Sequence, residues 1–330
     1  MSACTLSTRE RDEVIDALLE TVNANYVFPD MAARIEAEIQ RQRQDGAYEK
    51  CQSGRALALL LTRHLQSINP DQHLGVSWHR EPLSNDLDAT ARMEQAEARS
   101  RRANFGLSRL EIHPGNVGYI NIRGFGQPEK GGGTLVGAMA FLAHVDALIV
   151  DLRECGGGYG GMVRLACSYF FDEPTHLNDF YWRPDDSTIQ SWTMPHVPGR
   201  KLPGIPIYIL TSGFTFSAGE EFAYDLQALD RALIVGEATG GGAHPGERFI
   251  LADHFDAFIP CGRAINPITG GNWEGEGVQP DVATPAEDAL PVAQRLALTE
   301  IIERAEQAAS PIDRNAIAEA KEALAGLPTT

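Results

Sequence analysis

Apolar residues along this chain change period part-way through, from a helical repeat to short continuous runs. Between residues 7 and 67, Val14, Leu18, Leu19 and Val22 fall on one helical stripe, and Met31, Ile35 and Ile39 on a second. Leu57, Leu60, Leu61 and Leu65 make a third, while Pro29 and Asp30 punctuate the first two, with Asp30 the expected N-cap. Residues 84–105 are charged and predict a solvated helix or connector. From about residue 106, strand-like runs alternate with helical ones. Val117–Ile122, Ala147–Leu152, Ile205–Leu210 and Ala232–Val235 predict strands, the middle two fully buried. Helices are expected over Leu135–Val145, Met162–Phe171 and Ser217–Leu229. Residues 246–268 predict short antiparallel strands, and 286–325 a helical end broken at Pro311. The expectation is an α/β fold: a mainly parallel sheet with flanking helices, plus an N-terminal helical subdomain. The segments are 1–83 (helical), 84–105 (connector), 106–290 (core) and 291–330 (C-terminal helices).

Two strand-to-helix junctions carry candidate chemistry. Asp151-Leu-Arg-Glu-Cys-Gly-Gly-Gly158 offers bare backbone N–H groups suited to an oxyanion, with Gly157 as the donor. Thr211-Ser-Gly-Phe-Thr-Phe-Ser217-Ala-Gly-Glu-Glu221 places a serine hydroxyl at the start of a helix whose buried face is Phe222, Leu226 and Leu229. Free N–H groups there favour negative charge, and that of Ala218 would face an oxyanion beside the Ser217 oxygen. Serine is also a common N-cap for stability alone, and Ser212 and Thr215 are neighbouring hydroxyls. Gly156-Gly-Gly-Tyr-Gly-Gly161 also fits the dinucleotide fingerprint. Its acidic partner has only loose candidates in Asp172, Glu173 and Asp179, so an NAD-dependent oxidoreductase is the lesser reading.

Charge and cysteine content narrow the classes further. The net charge of −17 opposes binding to nucleic acid or anionic membrane surfaces. The five cysteines are irregularly spaced without a CxxC pair, which predicts reduced thiols and neither zinc nor redox chemistry. No basic segment leads into an apolar core at the N-terminus, and no run reaches membrane-spanning length, so the expectation is a cytoplasmic protein without membrane insertion. No cofactor or metal is called for.

Taken in order, the motifs resemble the C-terminal-processing (tail-specific) serine peptidase family, and its branch related to interphotoreceptor retinoid-binding protein and the tricorn core protease. Asp151–Gly158 is similar to the family's Asp-Leu-Arg-x-Asn-x-Gly-Gly, and Ser217-Ala-Gly-Glu220 to its nucleophile segment. Val235-Gly-Glu-Ala-Thr-Gly-Gly241 and Gly277-Val-Gln-Pro-Asp281 follow, after Asn25-Tyr-Val-Phe-Pro29 and Asp71-Gln-His-Leu74. The resemblance spans about residues 10–290 and implies a crotonase-like, ClpP-like spiral core. It implies a serine peptidase acting through an acyl-enzyme on peptide or protein substrates. Two positions depart from the pattern. Where a Ser-Lys dyad would carry its lysine stands Gly242, and Cys155 replaces the asparagine. The resemblance therefore implies a histidine base, His73, supported by Glu274, with His244 the alternative base and Glu276 the alternative acid. Since 75–116 is too short for a PDZ insertion, aromatic residues within 169–192, among them Phe180, Tyr181, Trp182 and Trp192, would line a substrate cleft as a lid or else belong to the core. Retinoid-binding relatives leave a non-catalytic carrier of apolar ligands as the alternative, and acyl transfer to a small molecule or specialised peptide as a third.

Overall fold

A computed structural model describes residues 6–83, 86–308 and 311–327. The chain divides into two compact units, the first made of the stretch up to residue 97 with 179–189 and 242–265, the second of 98–178, 190–241 and 266 onward.

In the first unit, α1 (Thr8–Asn25), α2 (Pro29–Gln44) and α3 (Gly54–Ile68) carry the three stripes, and β1 (Gly75–Trp78) follows. Two of these helices begin with ordinary serine caps: Ser7 and Ser53 are extended, and each accepts the N–H three residues on. For α2 the N-cap is Phe28, not Asp30. Pro29 occupies N1, where its missing N–H costs nothing and its fixed φ suits the helix, which puts Asp30 inside the first turn. α4 (Asp86–Arg102) is the charged helix that the sequence predicts.

The second unit holds β2 (Leu107–His113), β3 (Val117–Ile122), α5 (Pro128–Phe141), β4 (Ala147–Asp151) and α6 (Gly160–Cys167). β5 (His176–Trp182) and β6 (Ser187–Trp192) occupy the stretch expected as an aromatic lid. Trp192 stacks on His176 there, ring centroids 4.6 Å apart. Then come β7 (Ile207–Thr211), α7 (Ala218–Ala228), β8 (Leu233–Gly236), β9 (Gly246–Ala252), β10 (Phe255–Pro260), β11 (Gly262–Ile265), β12 (Val282–Ala283), α8 (Ala289–Ala308) and α9 (Pro311–Ala325).

The main sheet runs β12-β8-β7-β4-β3-β2, with every neighbouring pair parallel except β2–β3. β3, β4 and β7 are buried at every position, as strands covered on both faces must be. Ala289, Ala293 and Ala297 of α8 pack on Tyr119, Ile149 and Leu210 of this sheet. In the first unit the antiparallel sheet β1-β10-β9 joins α1, α2 and α3 around Ile15, Leu61 and Phe255. Residues 179–182 of β5 pair with β11. No described helix is long and apolar enough to cross a membrane.

Candidate active site

Parallel pairing of the central strands β4 and β7 sets the two chemical segments side by side at the C-terminal ends of both. Side chains then stitch them together. Ser212 Oγ donates to the Arg153 carbonyl at 2.7 Å, Thr215 Oγ1 to the Leu152 carbonyl at 2.8 Å, and the Phe216 N–H to the Cys155 carbonyl at 3.0 Å. Ser212 and Thr215 thus spend their protons on structure, which removes both as nucleophiles. Asp151 anchors the first segment: its carboxylate accepts the Tyr119 hydroxyl at 2.6 Å and Arg153 Nη2 at 2.7 Å. Burial would raise its pKa, but the bonds from Arg153 and Tyr119 outweigh it and hold the group below the usual carboxylate range.

Ser217 stands at the N-cap of α7 with φ 55° and ψ −122°. Ser217 shares a capping box with Glu220, but where the caps Ser7 and Ser53 are extended, Ser217 holds a left-handed φ. A non-glycine residue in this region costs about 1–3 kcal/mol and marks functional strand-to-helix turns. Gly157, at φ +103°, lies against it: a Cβ there would come 2.8 Å from Ser217 Cβ and 3.3 Å from its Oγ. Only glycine fits that approach. The arrangement sets a half-buried hydroxyl beside Gly157 and the first turn of α7, whose N–H groups can polarise a carbonyl.

Cys155 adapts the loop without asparagine. Its thiol is buried, pushed up to about 12 by burial against a smaller opposing effect of the Gly157 N–H, so it is neutral and inert. A Cβ on Gly219 would sit 2.9 Å from its sulfur, which explains the glycine in the first turn of α7.

Glu220 holds the other side. Fully buried, it accepts the Ser217 N–H at 2.7 Å, the Thr239 hydroxyl at 2.6 Å and the Gly241 N–H at 2.6 Å. Thr239 Oγ1 in turn accepts the Val278 N–H, and the Gly275 N–H donates to the Gly241 carbonyl at 3.0 Å. Two separated motifs therefore meet on one carboxylate, and a third, Gly277–Asp281, joins them through Thr239. Sequence reasoning did not single out Glu220's role, although its position three residues after Ser217 was the signal for a capping partner. The same loop carries Glu274, half-buried beside the buried Trp273, its N–H bound to Asn272 Oδ1 at 2.9 Å. Glu276 is exposed.

Both candidate bases lie in the first unit, around Asp71. His244 is buried, its Nδ1 2.8 Å from Asp71 Oδ2, with Phe28 edge-on at 5.2 Å. Asp71 also accepts the Tyr26 hydroxyl at 3.3 Å and the backbone N–H of His73 at 3.1 Å. The His73 ring stacks on Phe258 at 5.6 Å, and burial lowers its pKa despite the opposing field of Asp71, keeping the imidazole neutral at pH 7. The partnership of Asp71 with His244 is another feature the sequence hid, since 173 residues separate them.

Solved structures of similar fold include the photosystem II D1 C-terminal processing protease, 14% identical over 85% of this chain and 94% of that one, with a TM-score of 0.54. A lipoprotein from Streptococcus agalactiae matches at 17% identity, 88% and 96% coverage and a TM-score of 0.57. The tricorn protease matches at 14% identity and a TM-score of 0.56, over 95% of this chain but 37% of the larger protein. Residues 5–103 match the N-terminal domain of peptidase S41 found in eukaryotic IRBP, and residues 116–284 match peptidase family S41 itself. The chain belongs to peptidase family S41.

Proposed function

We propose that the protein is a serine peptidase that works through an acyl-enzyme on Ser217. The close approach of Gly157 to a strained Ser217 carries this reading. Ser217 Oγ attacks the scissile carbonyl, and the N–H groups of Gly157 and Ala218 receive the oxyanion. An imidazole takes the hydroxyl proton and passes it to the leaving amine, and water then releases the acyl group. The order of the motifs supports His73 as that base, with Glu274 as the supporting carboxylate. A second reading assigns the base to His244. Its favouring observation is the 2.8 Å bond between its Nδ1 and Asp71 Oδ2, an imidazole–carboxylate pairing that would orient the ring. The free thiols at Cys51, Cys155, Cys167 and Cys261 support a reducing, cytoplasmic setting.

The test is labelling with a fluorophosphonate, locating the adduct by peptide mass spectrometry. An adduct at Ser217, absent in Ser217→Ala, is the expected result. His73→Ala and His244→Ala then assign the base: its loss slows labelling by about 10²–10⁴-fold and removes the acid limb of the pH profile, while loss of the other imidazole leaves the limb in place. A folded sample that takes up no label would turn the assignment toward a non-catalytic carrier.

A further inference from the structure

A cavity of about 640 Å³ opens in the second unit against the oxyanion glycine. Gly157 forms part of its wall, with Phe105, Leu107, Phe125 and Tyr159. The wall is built under constraint. Asn104 and Phe105 both hold left-handed backbone, at φ 50° and 55°, which L-residues rarely adopt. Glycines make room for Phe105: a Cβ on Gly131 would fall 2.6 Å from Phe105 Cβ, and one on Gly126 2.9 Å from it. Any larger residue at either position would displace the phenyl ring.

The charge of the cavity runs against that of the chain. Two arginines, Arg102 and Arg123, line it and no acidic residue does, in a protein of net charge −17. Arg123 pairs with Glu154 at 3.0 Å on the exposed side. Arg102, among the described residues, has no carboxylate partner. An apolar wall ending in an uncompensated guanidinium suits a side chain with an apolar stem and an anionic head.

Resting on the peptidase reading above, we propose that this cavity is the specificity pocket, seating the substrate side chain beside the scissile bond and selecting glutamate through Arg102. The methylenes of the glutamate lie along Phe105 and Leu107 and its carboxylate meets Arg102. A lysine in the same place brings like charges together and is disfavoured.

The experiment compares peptides that differ only in carrying Glu, Gln, Leu or Lys at the positions flanking the cleaved bond. In the full chain, kcat/KM favours Glu over Lys at one flanking position by about tenfold, the scale of a partly exposed charge pair plus the repulsion it replaces. Arg102→Gln removes the preference and Arg102→Glu reverses it toward Lys. The same peptides, fluorescein-labelled, are titrated into Ser217→Ala by anisotropy, so that the pocket is tested without turnover. Tighter binding of the Glu peptide, lost in Arg102→Glu, supports the proposal. Equal binding of Glu and Lys peptides, or a preference that survives Arg102→Glu, overturns it. Absence of a fluorophosphonate adduct at Ser217 would sink the peptidase reading alone, because the binding titration still decides the pocket.

Discussion

The helix that begins at the nucleophile carries an acid pair whose ionisation should set the pH dependence of stability. Glu221 and Asp225 lie one turn apart on α7, so they share a face, and both are buried. Asn178 donates to Asp225 Oδ1 at 2.8 Å, but among the described residues neither carboxylate has a cationic partner. Burial pushes Glu221 up to about 8, and burial with the nearby Glu221 pushes Asp225 well above the carboxylate range. The folded protein thus holds protons at pH 7 that the unfolded chain releases near pH ~4.3. A folded pKa above the unfolded one gives stability that is complete below the unfolded value and is lost as pH rises toward and through the folded value. Each such proton contributes a slope of about 1.4 kcal/mol per pH unit. Between pH 6 and 8 the Glu221 proton alone would then remove about 2 kcal/mol from the folded state, because the slope has halved by pH ~8. Glu221→Gln keeps the shape of the neutral acid and has no proton to lose. Urea unfolding of both proteins at half-unit steps from pH 5.5 to 8.5 gives the comparison. The variant should gain on the parent by about 1.4 kcal/mol per pH unit, levelling off above pH ~8. Histidines whose folded pKa is lowered, such as His73 and His113, contribute the opposite slope but are common to both proteins and cancel. A stability difference independent of pH would refute the reasoning.

Two further substitutions test the site's supports. Gly157→Ala places a methyl 2.8 Å from Ser217 Cβ at a φ of +103°; it should lower turnover by about 10²-fold or more, with the circular dichroism spectrum unchanged. A wild-type rate in that variant removes Gly157 from the oxyanion site. Glu220→Ala strands the N–H groups of Ser217 and Gly241 and the Thr239 hydroxyl in a dry interior, at an expected cost of about 3–5 kcal/mol in urea unfolding. A loss under ~1 kcal/mol would mean the carboxylate is not what joins the motifs.

The second unit was largely legible in the sequence because its strands are buried on both faces and announce themselves as continuous apolar runs. Val117–Ile122 and Ala147–Asp151 fall where those runs predict. β2 and β5 were not visible, since their burial is partial and mixed and their sequences, Leu107–His113 and His176–Trp182, alternate too weakly. Composition also says nothing about which distant segments pair. β10 lies between β1 and β9 in the first unit, joining residues near 76 to residues near 257. The Asp71–His244 pair exists only because of such a return of the chain. At the site, the motifs located Ser217 and Gly157 by position, but neither φ/ψ nor a close approach can be read from letters. Glu220 is the instructive case: a buried carboxylate with three donors looks in sequence like any helix-start acid.

These ties separate what the motifs report from what the chemistry needs. Asp151, Thr239, Gly241, Gly277 and Asp281 bind backbone or pack on it; Asp281, for example, accepts the Ile234 N–H at 2.7 Å and so fixes β8. They would be required of any protein with this core, active or not. The backbone of Ser217 is different, because α7 would be as well capped by a serine in the extended conformation of Ser7 or Ser53. Strain retained where an unstrained alternative exists argues for a function that uses it. Ser217→Gly separates the two. Glycine adopts a positive φ freely, and glycine replaces serine at an N-cap for only a few tenths of a kcal/mol. The variant should therefore be more stable than the parent by about 1 kcal/mol while losing all turnover. If it were instead destabilised by the amount of an ordinary serine cap, about 1 kcal/mol, the hydroxyl would be serving the helix, and the case for Ser217 as a nucleophile would rest on Gly157 alone.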